Sequence, residues 1–360
     1  MSDYFNEYTD EIIPEEEVLR QERIETQKRL EALKKEASKT FSRAGFLTFI
    51  ASIVFTIGSY ALSFIYLFAA PITLPSGEIT LPEAIDSLPD NIINAVVALS
   101  CFGAVGLLFL LINRTKMSQA ITFEKVKPFT LITLVLAGFS VCMVSNTLTG
   151  VFLDTWKNIG IDLSFDIETP VSNSPIEILV YFVGTAIVPA FTEEFAFRGV
   201  MLTPLRKYGD ARAVLITSIL FALMHGNFVQ IPFTFIGGLV FGFAVVYTNS
   251  LLPAMLIHAL NNGFSVVCDL IYTNADTLGI TELQADIILN LFIAFIMVIS
   301  LLLVMIFIKK EKGSVKLNRY EGELPLSALN KATYLNPGII IAVIFQIIYS
   351  VFQHILIASM

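Results

Sequence analysis

Three ionisable side chains fall within six consecutive positions of an apolar stretch: Glu193, Glu194 and Arg198, in Phe191-Thr-Glu-Glu-Phe-Ala-Phe-Arg-Gly199. On a helix Glu194 and Arg198 stand four apart, share a face and can pair. Glu193 is rotated by about 100° from Glu194 and cannot share that geometry. One carboxylate is thus neutralised and the other, Glu193, is left as a candidate general base. Two of the three histidines complete a constellation. His225 follows Phe221 by four, and His258 precedes Asn262 by four, so each pair projects from one helical face. Two carboxylates, two imidazoles and a carboxamide suit hydrolysis of an amide. Glu193 takes a proton from water with help from His225, while His258 and Asn262 donate to the developing oxyanion. The same groups can instead hold a divalent metal such as zinc, with Glu193, His225 and His258 as ligands and the metal-bound water as nucleophile. His354 has no polar company and reads as a packing residue.

These groups must be positioned by membrane helices. Apolar residues make up 55% of the 360 and charged residues 15%, with a mean hydropathy of +0.73, whereas a soluble domain is nearer a quarter charged. Segments 46–70, 92–112 and 287–308 each carry no charge, long enough to cross a hydrocarbon core of roughly 30 Å as a helix. A water-soluble fold is excluded. The chain is read as an all-α, polytopic transmembrane bundle of eight or nine spans, at 44–70, 91–113, 129–150, 176–202, 213–227, 231–248, 251–272, 287–308 and 337–358. The fifth and sixth are short and meet at a polar stretch around His225, Gly226 and Asn227, where a broken or re-entrant helix is tolerated if it lines a cavity. In domain terms, residues 1–45 form a charged cytoplasmic tail, 46–175 the N-terminal membrane helices, 176–272 the helices that carry the polar cluster, and 273–360 the C-terminal helices with a cytoplasmic loop at 309–334.

Charge sets the orientation. With the N-terminus in the cytoplasm, 21 of the 23 Lys and Arg residues fall on the inside; the exceptions are Lys157 and the intramembrane Arg198. The positive-inside rule expects such a bias. Counted from Arg206, Glu193 lies roughly 20 Å along a straight helix, and His225 lies a similar distance from Arg212, so the polar groups meet at or below the membrane midplane. The tail 15–39 is rich in Glu, Lys, Arg and Ala and reads as a solvated helix. The charged first forty residues leave no cleavable signal peptide ahead of the first apolar run. Cys101, Cys142 and Cys268 are far apart and form neither a disulfide framework nor a metal site. No P-loop, dinucleotide fingerprint or nucleic-acid patch is present.

Glu193-Glu194-x-x-x-Arg198, Phe221-x-x-x-His225 and His258-x-x-x-Asn262 resemble, in order and on adjacent spans, the three signatures of the CPBP (CAAX protease and bacteriocin-processing, or Abi) intramembrane proteases. That family includes the type II CAAX prenyl endopeptidases. The resemblance covers residues 176–272. It implies a helical catalytic core in which Glu193, His225, His258 and Asn262 are catalytic and Glu194 and Arg198 organise the site. It also implies proteolysis, described for the family both as metalloprotease chemistry and as a glutamate-dependent reaction without metal. The His-Glu-x-x-His of zinc site-2-type proteases, the Gly-x-Ser-Gly of rhomboids and the Gly-x-Gly-Asp of presenilin-like proteases are missing.

The expected function is therefore an intramembrane endopeptidase that cuts a membrane-associated peptide or protein near the cytoplasmic leaflet. Its partners are that substrate and the lipid bilayer, with no nucleic acid, and its location is a bacterial plasma membrane. The alternatives are a proton-coupled transporter and a non-catalytic bacteriocin-immunity protein on the same fold.

Overall fold

A computed structural model describes residues 15–69, 92, 96, 99–112, 115–160, 174–310 and 317–358. Parts of the expected tail (1–14), the second span (91, 93–95, 97–98 and 113) and the C-terminal loop (311–316) lie outside the described residues. Within them there is no strand, only an isolated bridge between Phe123 and Ser250. Ten helices carry the fold: α1 Glu15–Ala69; α2, Leu99–Ala104 continuing as Val105–Ile112; α3 Pro128–Asn158; α4 Pro175–Tyr208; α5 Asp210–Met224; α6 Gln230–Thr248; α7 Leu252–Thr273; α8 Glu282–Lys310; α9 Leu326–Tyr334; and α10 Pro337–Ala358. Among the described residues, seven helical segments are long and apolar enough to cross a membrane, and Cys101–Leu111 is a shorter apolar helix. The protein is an integral membrane bundle, close to the eight or nine spans expected.

The charged tail and the first span are one continuous 55-residue helix. Glu15, Glu16 and Glu17 occupy its first turn, where the helix dipole favours acids. Helix-forming Glu, Lys, Arg and Ala then run into the apolar stretch without a proline to break it. Helix α5 has only 15 residues and stops at Met224. Gly226 follows with φ +69°, a conformation L side chains rarely adopt. Asn227 then caps the start of α6, its Oδ1 accepting the Gln230 N–H at 2.7 Å. The polar stretch that reads as a helix break is therefore the tip of an α5–α6 hairpin.

Small residues let the helices approach. On α6, Gly238-x-x-x-Gly242 faces α5, and a methyl group on either glycine would come within 3.0 Å of Ser218 or 2.9 Å of Val214. On α1, a methyl group at Gly45 would lie 2.3 Å from the backbone of Gly338 on α10. Asn336 fastens that contact, accepting from Ser42 at 2.9 Å and donating to the carbonyl of Ser38 at 2.8 Å, and Gln346 donates to Ser52 about three turns deeper. The helix α8 is mostly exposed, as a lipid-facing helix would be, and is pinned to α3 by Ser140 and Ser300 at 2.8 Å. At the basic end, Arg206 bridges Asp210 at 2.8 Å and Asn249 at 2.8 Å, tying α4 to the end of α6. Asp210 in turn accepts the Asn318 N–H at 2.9 Å.

Because the α1–α10 contact is backbone against backbone, Gly45→Ala has no side chain to displace. It should cost about 1–3 kcal/mol of stability, the usual cost of overpacking. Chemical denaturation in detergent micelles reads this as a lowered midpoint; an unchanged midpoint would show that the contact is loose.

Candidate active site

Helix α4 delivers the acidic pair, and its prolines shape it. Pro189 has no N–H to offer the carbonyl four residues back, that of Thr185. The helix answers with a widened, π-helical turn at Val183–Ile187 and a second at Phe195–Leu202, leaving Val188–Glu194 as a short α-helical segment between them. The freed Thr185 carbonyl takes its hydrogen bond from another helix, accepting from Asn262 Nδ2 at 3.1 Å. One carboxamide of the expected site thus also repairs the helix that carries the acids.

Glu194 is the centre of the polar cluster. It is completely buried, as is Arg198. Its Oε1 accepts from Arg198 at 2.9 Å, the i,i+4 pair expected from the spacing, and from His258 Nδ1 at 3.0 Å. Arg198 also donates to the Gly238 carbonyl at 3.2 Å. Its guanidinium carbon lies 4.4 Å from the ring centre of Phe221 and 5.2 Å from that of Phe241. Aromatic faces stabilise a desolvated cation, so the two phenylalanines support a charge that lipid alone would not.

The imidazoles are fixed by the same residues. His258 stacks on Phe241 with ring centres 5.0 Å apart and meets the edge of Phe221 at 5.9 Å. A carboxylate only accepts, so His258 Nδ1 carries the proton of the bond to Glu194, and a neutral ring then leaves Nε2 as an acceptor. That Nε2 lies 3.9 Å from Glu193 Oε2. Oε2 of Glu193 is buried without a hydrogen-bond partner among the described residues, although the side chain keeps 13% exposure. His225 is oriented by its own backbone: Nδ1 donates to the Phe221 carbonyl at 2.8 Å, and its ring meets Phe221 edge-on at 4.9 Å. Among the described residues no hydrogen bond or ion pair joins His225 to Glu193; the imidazole beside Glu193 is His258.

Glu193, His225, His258 and Asn262 all line one cavity of about 400 Å³. Sequence reasoning missed several of its other walls: Asn146 on α3, Asn261 on α7, Gln230 and Thr234 on α6, and the stacking Phe241. The amides form a ladder, Asn146 donating to Asn261 at 3.4 Å and Asn261 to Asn262 at 3.1 Å, which ends on Thr185. Its signal was present as a lone asparagine in an apolar span and an Asn-Asn pair in another. His354 lies outside the cavity lining and packs edge-on against Phe228, as a packing residue would. Among the described residues, no three His, Cys, Asp or Glu side chains converge at metal-ligand spacing. Glu193, His225 and His258 line the same space without forming such a cage.

Comparison with known proteins finds similarity over the stretch that carries this cluster. Residues 175–264 match the model of the Rce1-like family, type II CAAX prenyl endopeptidase. The chain is also 34% identical over 125 residues to the membrane-embedded CAAX protease MroQ of Staphylococcus aureus (strain USA300), covering 33% of this chain and 49% of that protein. The chain therefore spans about half the length of the curated relative it matches. No solved structure matches. Part of this polytopic membrane bundle, the stretch that carries the polar cluster, is thus similar to the CAAX protease family.

Removing one member of a buried ion pair strands the other, at a cost of about 3–5 kcal/mol, whereas replacing both by neutral groups costs far less. Arg198→Met should therefore destabilise the protein by that amount, and Glu194→Gln added to it should recover a large part. Denaturation midpoints of the single and double variants check this; strictly additive losses would contradict the pairing.

Proposed function

We propose that this protein is an intramembrane endopeptidase that hydrolyses a peptide bond of a membrane-associated peptide or protein. The observation that carries the reading is Oε2 of Glu193, buried, unpartnered among the described residues and 3.9 Å from the acceptor nitrogen of His258. A water shared between these two acceptors would point both protons at bases and present its lone pair to a carbonyl carbon. On attack, Glu193 takes the proton and the water oxygen bonds to the carbonyl carbon. Collapse of the tetrahedral intermediate returns that proton to the departing amine. His258 holds the water, and Glu194 holds His258. The Nδ2 of Asn262 has a second proton beyond the one given to Thr185, and this is the oxyanion donor, a contribution worth about 3 kcal/mol. His225, at the hairpin tip, presents Nε2 to the same cavity and positions water or the leaving group.

No step in this scheme passes through a metal, since the three candidate ligands form no cage. The match of residues 175–264 to a protease family supports the hydrolytic reading. The charge bias supports a cytoplasmic N-terminus, and the likeness to a membrane-embedded protease of Staphylococcus aureus supports a bacterial plasma membrane.

Glu193→Gln keeps the shape of the side chain and removes the base. In proteoliposomes supplied with a library of membrane-anchored peptides, the wild type should release fragments, and the variant should be slower by about 10²–10⁴-fold with its denaturation midpoint retained. An equal rate in the variant would remove Glu193 as the base.

A further inference from the structure

The carboxamides of Asn146, Asn261 and Asn262 line the cavity as one hydrogen-bonded chain, and the polarity of that chain is fixed at one end. The Thr185 carbonyl, which Pro189 leaves without its helical donor, can only accept. Asn262 must therefore turn its Nδ2 toward that carbonyl, as it does at 3.1 Å, and its Oδ1 is left to accept. Asn261 supplies the donor with its own Nδ2 at 3.1 Å, and Asn146 on α3 donates from Nδ2 to Asn261 Oδ1 at 3.4 Å. Each carboxamide thus imposes its orientation on the next. The chain ends on Asn146 Oδ1, which is buried and has no hydrogen-bond partner among the described residues. Asn146 and Cys142, four positions earlier on the same face of α3, both line the cavity that holds Glu193, His258 and Asn262.

A buried oxygen with unused lone pairs is costly to leave unmatched. In a site that hydrolyses peptide bonds, the matching donor is a main-chain N–H of the peptide. We infer that Asn146 Oδ1 is a substrate-binding group, accepting one backbone N–H of the peptide while Asn262, at the other end of the chain, holds the carbonyl oxygen under attack. The two hydrogen bonds and the carboxamides they join span at most about 13 Å from Asn146 Oδ1 to Asn262 Nδ2. An extended peptide covers that length in about four residues at roughly 3.3 Å each, so the N–H in question lies that close to the scissile bond. An uncharged acceptor of this kind reads the main chain and not the side chains, and so sets the register of the peptide rather than its sequence. Asn146 stands on α3, outside the 175–264 stretch that matches the family model. Its role as a substrate acceptor rests on the protease reading.

Substrate and protein can be altered in concert. A fatty-acylated peptide that the proteoliposomes cleave is resynthesised with each N–H within about four residues of the cut, the scissile one excepted, replaced in turn by an ester oxygen. With the unaltered protein, one such ester should lower kcat/KM by about tenfold, the loss of one hydrogen bond, and the others by much less. Asn146→Ala should cleave the all-amide peptide about tenfold more slowly and lose its sensitivity to that ester, because the acceptor is already gone. An asparagine with a merely structural role would slow amide and ester peptides alike. Asn146→Leu, of nearly the same shape and also without the acceptor, gives the same comparison should the alanine variant not fold. No ester penalty at any position in the unaltered protein, or an equal penalty in the unaltered protein and a folded variant, would overturn the inference. An unaltered protein that cleaves no peptide of the library would overturn the protease reading, and the inference with it.

Discussion

A single carboxylate with no exposure to solvent sets the terms for the rest of the core. Glu194 in a low-dielectric interior would be prohibitive as a lone anion, and two partners make it tolerable: the Arg198 guanidinium at 2.9 Å and the His258 ring at 3.0 Å. Arg198 is itself acceptable only because the Gly238 carbonyl and the faces of Phe221 and Phe241 surround it. Arg198 shares α4 with Glu194, while Phe221 comes from α5, Gly238 and Phe241 from α6 and His258 from α7, so the need to neutralise Glu194 fixes these four helices against one another. A buried pair of this kind is poor evidence for stability but a strong constraint on geometry.

Function follows from what that constraint leaves over. With Glu194 Oε1 taken by Arg198 and His258, and His258 oriented by it, Glu193 is the acid whose unpartnered Oε2 faces the free nitrogen of the same ring. The prolines contribute from the other direction. Pro189 opens the helix ahead of the acids and releases the Thr185 carbonyl, and Asn262 answers from α7. The carboxamide is therefore held by a structural bond through one proton while the other remains for chemistry. The close approach of α5 and α6 at Gly238 and Gly242 brings the His225 tip and the Arg198 cradle into one hairpin.

Much of this is legible in the sequence because charge in lipid is costly and therefore rare. The Glu194–Arg198 pair, the helix break after His225 and the shared face of His258 and Asn262 all follow from residue type and spacing. The pairing between helices does not. Nothing in the chain order indicates that Glu193 faces His258 rather than His225, because that depends on helix rotation, which the π-helical turns of α4 alter. The α1–α10 lock escaped as well, since Gly45 and Gly338 carry no chemical signature beyond smallness. Asn146 and Asn261 were visible as polar residues in apolar spans, but their linkage across α3 and α7 is a tertiary fact.

The central claim is that Glu194 holds the His258 proton on Nδ1 and so keeps Nε2 free to receive a water beside Glu193. Nitrogen-15 NMR of histidine-labelled protein in lipid nanodiscs reads the tautomer directly. The account predicts a His258 ring protonated at Nδ1 with a bare Nε2, and a loss of that preference in Glu194→Gln. A ring that carries its proton on Nε2 in the unaltered protein would contradict it.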